Sequence, residues 1–217
     1  MTEMIRVLLA DDHAMVRTGL RELLTATGDI EVVAEATNGH DVIAAVRKGG
    51  FDVIVLDMSM PGRSGIELIK LVKTEQPKLR ILVLSMHSEA QYAVRAVKAG
   101  AAGYLTKESA ADELVAAIRR VASGRAYITP ETAERLVLDT SSGEDGPAHN
   151  RLSNREYEVF RMIAAGRSVT DIANELHLSV KTISTHKARI LEKMSFSSQA
   201  DLVRYALTHG LLDDAGV

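Results

Sequence analysis

Apolar positions recur along this chain in two distinct manners. Between residues 5 and 123, the runs Ile5–Ala10, Glu31–Ala36, Val53–Leu56, Ile81–Leu84 and Gly103–Leu105 are short, β-branched or otherwise apolar, and mostly flanked by turn residues. Strands covered on both faces read this way. Helix-length amphipathic segments lie between them; in Val16–Leu24, the side chains of Val16, Leu20, Leu23 and Leu24 share one face at a period of 3.6. Strand alternating with helix five times predicts an α/β fold, a doubly wound five-stranded parallel sheet of roughly 120 residues.

Beyond residue 123 the pattern changes. Thr129 is placed to cap a helix that has Pro130 at its first position, where a missing N–H costs nothing, and this helix is expected to fade near Asp139. Residues 140–150 are polar, contain Gly and Pro, and show no periodicity, as a flexible linker does. The remainder is helical throughout. Ser153 and Glu156 have capping-box spacing, Ser168 with Asp171 and Ser198 with Asp201 repeat it, and Ser179 caps the stretch between. Gly166 and Gly210 stand where helices should stop. Four helices of roughly 9 to 16 residues make a small all-α domain. The expected division is a first domain at 1–124, a linker helix and flexible linker at 125–150, and a second domain at 151–217.

Composition narrows the setting. A chain of 217 residues with 46% hydrophobic content can fill two cores. The absence of cysteine excludes a disulfide framework or thiolate metal site and favours a reducing compartment. No stretch approaches the ~20 apolar residues of a membrane span, and the start lacks a basic segment followed by an apolar one; a soluble, unprocessed, cytoplasmic protein that does not engage a membrane is expected. The net charge of −3 leaves room for a local basic face.

In a parallel doubly wound sheet, ligands gather at the carboxyl ends of the strands. Here those ends carry Asp11-Asp12, Asp57, Ser85 and Thr106-Lys107. Crowded carboxylates raise one another's pKa unless a positive charge sits among them. A hard divalent cation such as Mg²⁺ relieves the repulsion, taking carboxylate, carbonyl, phosphoryl and water oxygens. Asp57 is then a plausible nucleophile toward a phosphoryl donor, with Lys107 and Ser85 contacting phosphoryl oxygens. Taken singly these residues have plainer readings, as helix cap, solvated lysine or loop hydroxyl; their joint occurrence in order at strand ends carries the functional one.

Residues Asp11-Asp12, the segment Asp57 to Gly62, Ser85, Tyr104 and Lys107 together resemble the receiver domain of bacterial response regulators, over residues 5–123. The resemblance implies a flavodoxin-like (βα)5 fold and a sensor histidine kinase that phosphorylates Asp57. It implies Mg²⁺ held by Asp12, Asp57 and the Ser59 carbonyl, with Asp11 assisting through water. It also implies a switch pair, Ser85 and Tyr104, and places Ser59 and His87 beside the phosphoryl group. His13 and His87 otherwise read as exposed loop histidines.

In the second domain, Val169 to Lys187 holds a short helix, a turn at His177-Leu178 and the start of a longer helix. Ile172, Ala173 and Leu176 give the short helix an apolar face, and Ile183, Ile190, Leu191 and Met194 point the longer one inward. The opposite face carries Lys181, Ser184, Thr185, Lys187 and Ala188, with Arg189 and Lys193 near its end and no acid before Glu192. Cations neutralise phosphates and small side chains approach base edges, so this helix suits a major groove of double-stranded DNA. The run from Leu152 to Gly210-Leu211, including Thr182-Ile183, His186 and Lys193-Met194, resembles the C-terminal domain of the NarL/FixJ (LuxR-type) class. That resemblance implies base contacts from Ser184, Thr185 and Ala188, where relatives often carry longer side chains, and a dimerisation surface on the last helix, whose Leu202, Val203, Ala206 and Leu207 could equally be core. His186 reads as a packing or phosphate-contact residue, since no second metal ligand stands four residues away.

The expected whole is a non-enzymatic, DNA-binding transcription regulator, switched by phosphorylation and paired as a homodimer when phosphorylated. A haloacid-dehalogenase-like phosphotransferase is the enzymatic alternative, but that chemistry wants an Asp two residues after the nucleophile, and Ser59 stands there.

Overall fold

Five parallel strands, β1 (Ile5–Ala10), β2 (Ile30–Ala36), β3 (Val53–Asp57), β4 (Arg80–Ser85) and β5 (Gly103–Thr106), form one sheet in the order β2-β1-β3-β4-β5. The computed structural model describes residues 4–60, 65–86, 90–109, 111–140, 147–176 and 178–212. By contacts the chain divides into two units, Met1–Ser141 and Ser142–Val217.

Each expected strand is present, lengthened by one or two residues in every case but the first. All five residues of β3 are buried, which explains its unbroken apolar run before Asp57. Helices α1 (Ala14–Thr25), α2 (Gly39–Lys48), α3 (Gly65–Glu75), α4 (Ala90–Lys98) and α5 (Ala111–Ala122) connect the strands. The Asn38 side chain starts α2 by accepting from the backbone N–H groups of His40 and Asp41. Val7, Leu9, Val55 and Leu82 of the sheet pack with Leu114, Ile118 and Val121 of α5 in one continuous core. Because β1 pairs with β2 on one side and β3 on the other, the winding reverses there, and the crevice of the fold opens above the carboxyl ends of β1 and β3.

The segment after α5 does more than connect. The Tyr127 N–H donates to the Ala102 carbonyl at 2.9 Å and the Tyr127 carbonyl accepts from Tyr104 N–H at 3.1 Å, so residue 127 lies against β5 as a further parallel bridge. Helix α6 (Pro130–Thr140) follows, with the Thr129 hydroxyl accepting from Thr132 N–H as its cap, and packs on α4 within the same unit.

The second unit begins with a 3-10 turn, Ala148–Arg151, then α7 (Asn154–Ala164), α8 (Val169–Glu175), α9 (Val180–Met194) and α10 (Gln199–Thr208). The capping boxes at Ser153/Glu156 and Ser198/Asp201 are both closed, and Ser168 and Ser179 cap α8 and α9. Gly166 and Gly210 take positive φ just past helix ends, as helix-stopping glycines do. At seven residues α8 is shorter than the sequence pattern suggests. Tyr157, Phe160, Ile163, Ile172, Ile183, Ile190, Leu202 and Ala206 form the interior. Leu202 and Ala206 of α10 are therefore core, whereas Leu207 is exposed. His149, inside the stretch that reads as linker, is buried, its Nδ1 2.9 Å from the Tyr205 hydroxyl, so the helical unit begins before residue 151.

Residues 61–64, which include the end of the segment Asp57 to Gly62, the position of His87, residues 141–146 of the linker, and His177 in the interhelical turn lie outside the described residues. Among the described residues no helix is long and apolar enough to cross a membrane.

Candidate functional site

Three charged side chains converge at the carboxyl ends of β1, β3 and β5. Lys107 Nζ lies 2.8 Å from Asp57 Oδ2 and 2.7 Å from Asp11 Oδ2. Both carboxylates are almost wholly buried, and Lys107 is nearly so. The Lys107 N–H donates to the Ser85 carbonyl at 2.7 Å, fixing the turn after β5 to the end of β4. Ser85 is itself buried at that strand end. The Ser59 N–H donates to Asp57 Oδ1 at 3.0 Å, which sets the loop after β3 around its carboxylate. Tyr104 is buried on β5, three residues before Lys107.

Asp12 is exposed beside this cluster. His13, which follows the acid pair in the sequence, also closes on it: its ring Nδ1 is 3.2 Å from Asp11 Oδ1 and 3.0 Å from Asp12 Oδ1, and its backbone N–H donates to Asp11 Oδ1. Arg17 on α1 also belongs here, donating to the Asp11 carbonyl at 2.8 Å while pairing with Glu35. One helical turn separates Arg17 from His13, but nothing in the sequence ties it to Glu35, 18 residues on.

Burial pushes the Asp57 carboxyl above its ordinary value; the Lys107 ammonium and the Ser59 N–H oppose this without cancelling it, and Asp11 adds repulsion. For Lys107 burial is again the largest effect and pulls downward, but the two carboxylates outweigh it and leave the ammonium above the usual lysine range. The region thus holds more negative charge than one lysine satisfies. Asp11 Oδ2 is buried and, although close to Lys107 Nζ, takes no well-aligned hydrogen bond among the described residues. Ligand atoms of Asp11, Asp12, His13 and Asp57 all fall within 4.8 Å of one another. An oxygen-rich cluster with an unfilled buried lone pair fits a divalent metal.

In the second unit, α9 presents Lys181, Ser184, Thr185, Ala188 and Arg189 to solvent, with Thr182, His186 and Lys187 half-buried. The Thr182 N–H and hydroxyl are engaged by Ser179 at the helix start. The Lys187 ammonium donates to Gln199 Oε1 at 2.7 Å. Lys193 points elsewhere: its ammonium meets the buried Glu156 carboxylate at 2.6 Å, joining the end of α9 to the start of α7. His186 lies with Nδ1 buried and unbonded among the described residues, and burial lowers its pKa, which suits helix packing.

An open α/β unit with an acid-and-lysine crevice, followed by a helical unit with a short helix, a turn and a capped basic helix, defines the class of two-domain regulators that join a phosphoryl-accepting module to a DNA-binding one. Residues 7–119 match the family model described as response regulator receiver domain, and residues 150–206 match bacterial regulatory proteins, luxR family. The chain belongs to the response regulators of the NarL/FixJ class and is a DNA-binding two-component response regulator. It is 38% identical over 214 residues to the response regulator GacA of Pseudomonas aeruginosa, covering 98% of this chain and all of the relative. RcsB from Salmonella enterica serovar Typhimurium, solved bound to promoter P1flhDC with the phosphomimetic BeF3⁻, is 33% identical with a TM-score of 0.57, covering 93% of this chain and 97% of that one. A structure of two RcsB dimers bound to two parallel DNAs is 30% identical with a TM-score of 0.58, covering 95% and 99%.

Proposed function

We propose that the first unit accepts a phosphoryl group on Asp57 from a sensor histidine kinase, and that the second, helical unit then binds double-stranded DNA as a homodimer in the cytoplasm. The observation that carries this reading is the convergence of Asp57, Asp11 and Lys107 at three strand ends, with both Lys107 contacts under 3 Å. The Asp57 carboxylate forms the new O–P bond as the bond to the donor breaks, and the donor departs with its electron pair. Lys107 leaves its ion pair to meet the phosphoryl oxygens, and the Ser85 hydroxyl donates to another. Asp11, Asp12, Asp57 and the Ser59 carbonyl are the groups suited to hold Mg²⁺, which when bound neutralises charge on the transferring group.

Filling of the crevice shifts Ser85, and with it the buried ring of Tyr104 on the neighbouring strand, between two arrangements. In the second unit the proposed DNA contacts are Lys181, Thr182, Ser184, Thr185, His186, Lys187, Ala188 and Arg189, while Lys193, expected from the sequence to join them, is held by Glu156. The dimers and the promoter described for RcsB support pairing and DNA binding for this chain, because the similarity spans both units.

Intact mass after incubation with acetyl phosphate tests the receiver chemistry. One phosphoryl group should be added in the presence of Mg²⁺, little without it, and none to Asp57→Ala. Addition that persists in Asp57→Ala would place the acceptor elsewhere.

A further inference from the structure

The exposed side of α9 offers few hydrogen-bond donors to a base edge. Val180, Ser184 and Ala188 stand in one i, i+4 row and Lys181 and Thr185 in the next, and all five are exposed. The Ser184 hydroxyl donates to the Val180 carbonyl, and the Thr185 hydroxyl to the Lys181 carbonyl, each at 2.9 Å. A hydroxyl has a single hydrogen, so both side chains retain only lone pairs for a partner, and Thr185 keeps its methyl group as apolar surface. Lys187 is engaged by Gln199. Val180, a large apolar side chain at the first position of the helix, is 49% exposed, and on α9 it is the large apolar side chain turned to solvent, since Ile183, Ile190 and Met194 are buried. The N-terminal residues of a groove-bound helix are those that meet base edges.

Major-groove chemistry distinguishes what such a face can read. Guanine shows two acceptors, N7 and O6, and needs donors, most often from Arg or Lys; thymine shows a C5-methyl group, and its partner adenine an N6 amino donor. Resting on the DNA-binding reading above, we infer that this face of α9 recognises thymine methyl groups, with Val180 a specificity-determining residue, and that T·A pairs are selected over G·C where Val180, Thr185 and Ala188 meet the bases. The adenine amino group donates to the lone pairs of Ser184 or Thr185, as the cytosine amino group of a G·C pair also can, so the discrimination rests on the thymine methyl group, which no G·C pair offers. Lys181 and Arg189 serve phosphates.

The test is selection of binding sites from a randomised duplex library by the full-length protein treated with acetyl phosphate and Mg²⁺, followed by replacement of each thymine in the recovered half-site by deoxyuridine, which removes only the methyl group. Binding should weaken about three- to fivefold at one or more thymines. Val180→Ala should bind the thymine and uracil duplexes alike at one position where the parent protein discriminates, with unchanged helical content. Uracil duplexes bound as tightly as thymine ones, binding lost instead on replacing guanine by 7-deazaguanine, a selection without consensus, or full discrimination by Val180→Ala would overturn the inference while leaving DNA binding intact. Failure to retain any duplex at low salt would remove the DNA-binding reading itself, and this inference with it.

Discussion

The carbonyl oxygen of Tyr127 accepts the backbone N–H of Tyr104 at 3.1 Å. Tyr104 lies on β5, the strand that Lys107 directly follows, and Tyr127 lies on the segment that leads into α6. The Tyr127 phenol adds a bond to Glu113 on α5. The chain leaving the receiver is thus fastened to the strand that carries Tyr104 and leads directly into Lys107.

Gly103 makes that fastening possible. A Cβ at this position would lie 2.8 Å from Leu82 Cδ1 and 2.9 Å from the Tyr127 carbonyl oxygen, and backbone cannot yield as a flexible side chain can. Gly103→Ala should cost the first unit about 1–3 kcal/mol by overpacking and loosen amide protection at Tyr104 and Tyr127. Unchanged thermal unfolding with unchanged exchange would show that the segment is not held there.

Charge balance in the crevice predicts opposite signs for two substitutions. A buried carboxyl whose folded pKa is raised, as for Asp57, binds its proton more tightly in the folded state, so its ionisation erodes stability as pH rises through the folded value. Asp57→Asn should therefore stabilise the metal-free protein at neutral pH. Lys107→Met, which strips two buried carboxylates of their counter-charge, should destabilise it by roughly 3–5 kcal/mol, with Mg²⁺ restoring part. Denaturant titrations of both variants with and without Mg²⁺ decide this; destabilisation by Asp57→Asn would contradict it.

Glu156 predicts acid sensitivity in the second unit. Burial works to raise its carboxyl, but Lys193 and the Ser153 cap outweigh that and leave it below the usual glutamate range. A carboxyl depressed by folding contributes stability above its unfolded value near 4.5, and that contribution is lost as pH falls through the lower folded value. Glu156→Gln should flatten the stability curve below pH 4.5 when unfolding is followed across that range, whereas an unaltered slope would assign the acid sensitivity elsewhere.

The basic residues of α9 divide by what they already touch. Lys181 is exposed, so Lys181→Ala should reduce the slope of log affinity against log salt by about one counterion with little loss of stability. Lys193→Ala should leave that slope nearly unchanged and instead cost about 1 kcal/mol of stability, because its ammonium is held by Glu156. Equal salt effects for the two variants would place Lys193 on the phosphates.

The sequence by itself determined the elements and the order of their chemistry. The runs that become β1 to β5, the serine caps of α7 to α10 and the stops at Gly166 and Gly210 all depend on side chains within a few residues, so local period and local hydrogen bonding specify them. That Asp11, Asp57, Ser85 and Lys107 share one rim also followed, since parallel strands place every strand end on the same side. Only the tertiary structure decided which of these groups touch. Lys107 spans both carboxylates, Lys193 turns to Glu156, 37 residues away, His149 enters the core against Tyr205, and Tyr127 joins the sheet edge. Each is a contact between residues distant in sequence, made through an ammonium, an imidazole or a backbone amide that carries no periodic signal. Such groups find partners by their position after the apolar core has packed, and a pattern of apolar spacing holds no record of that choice.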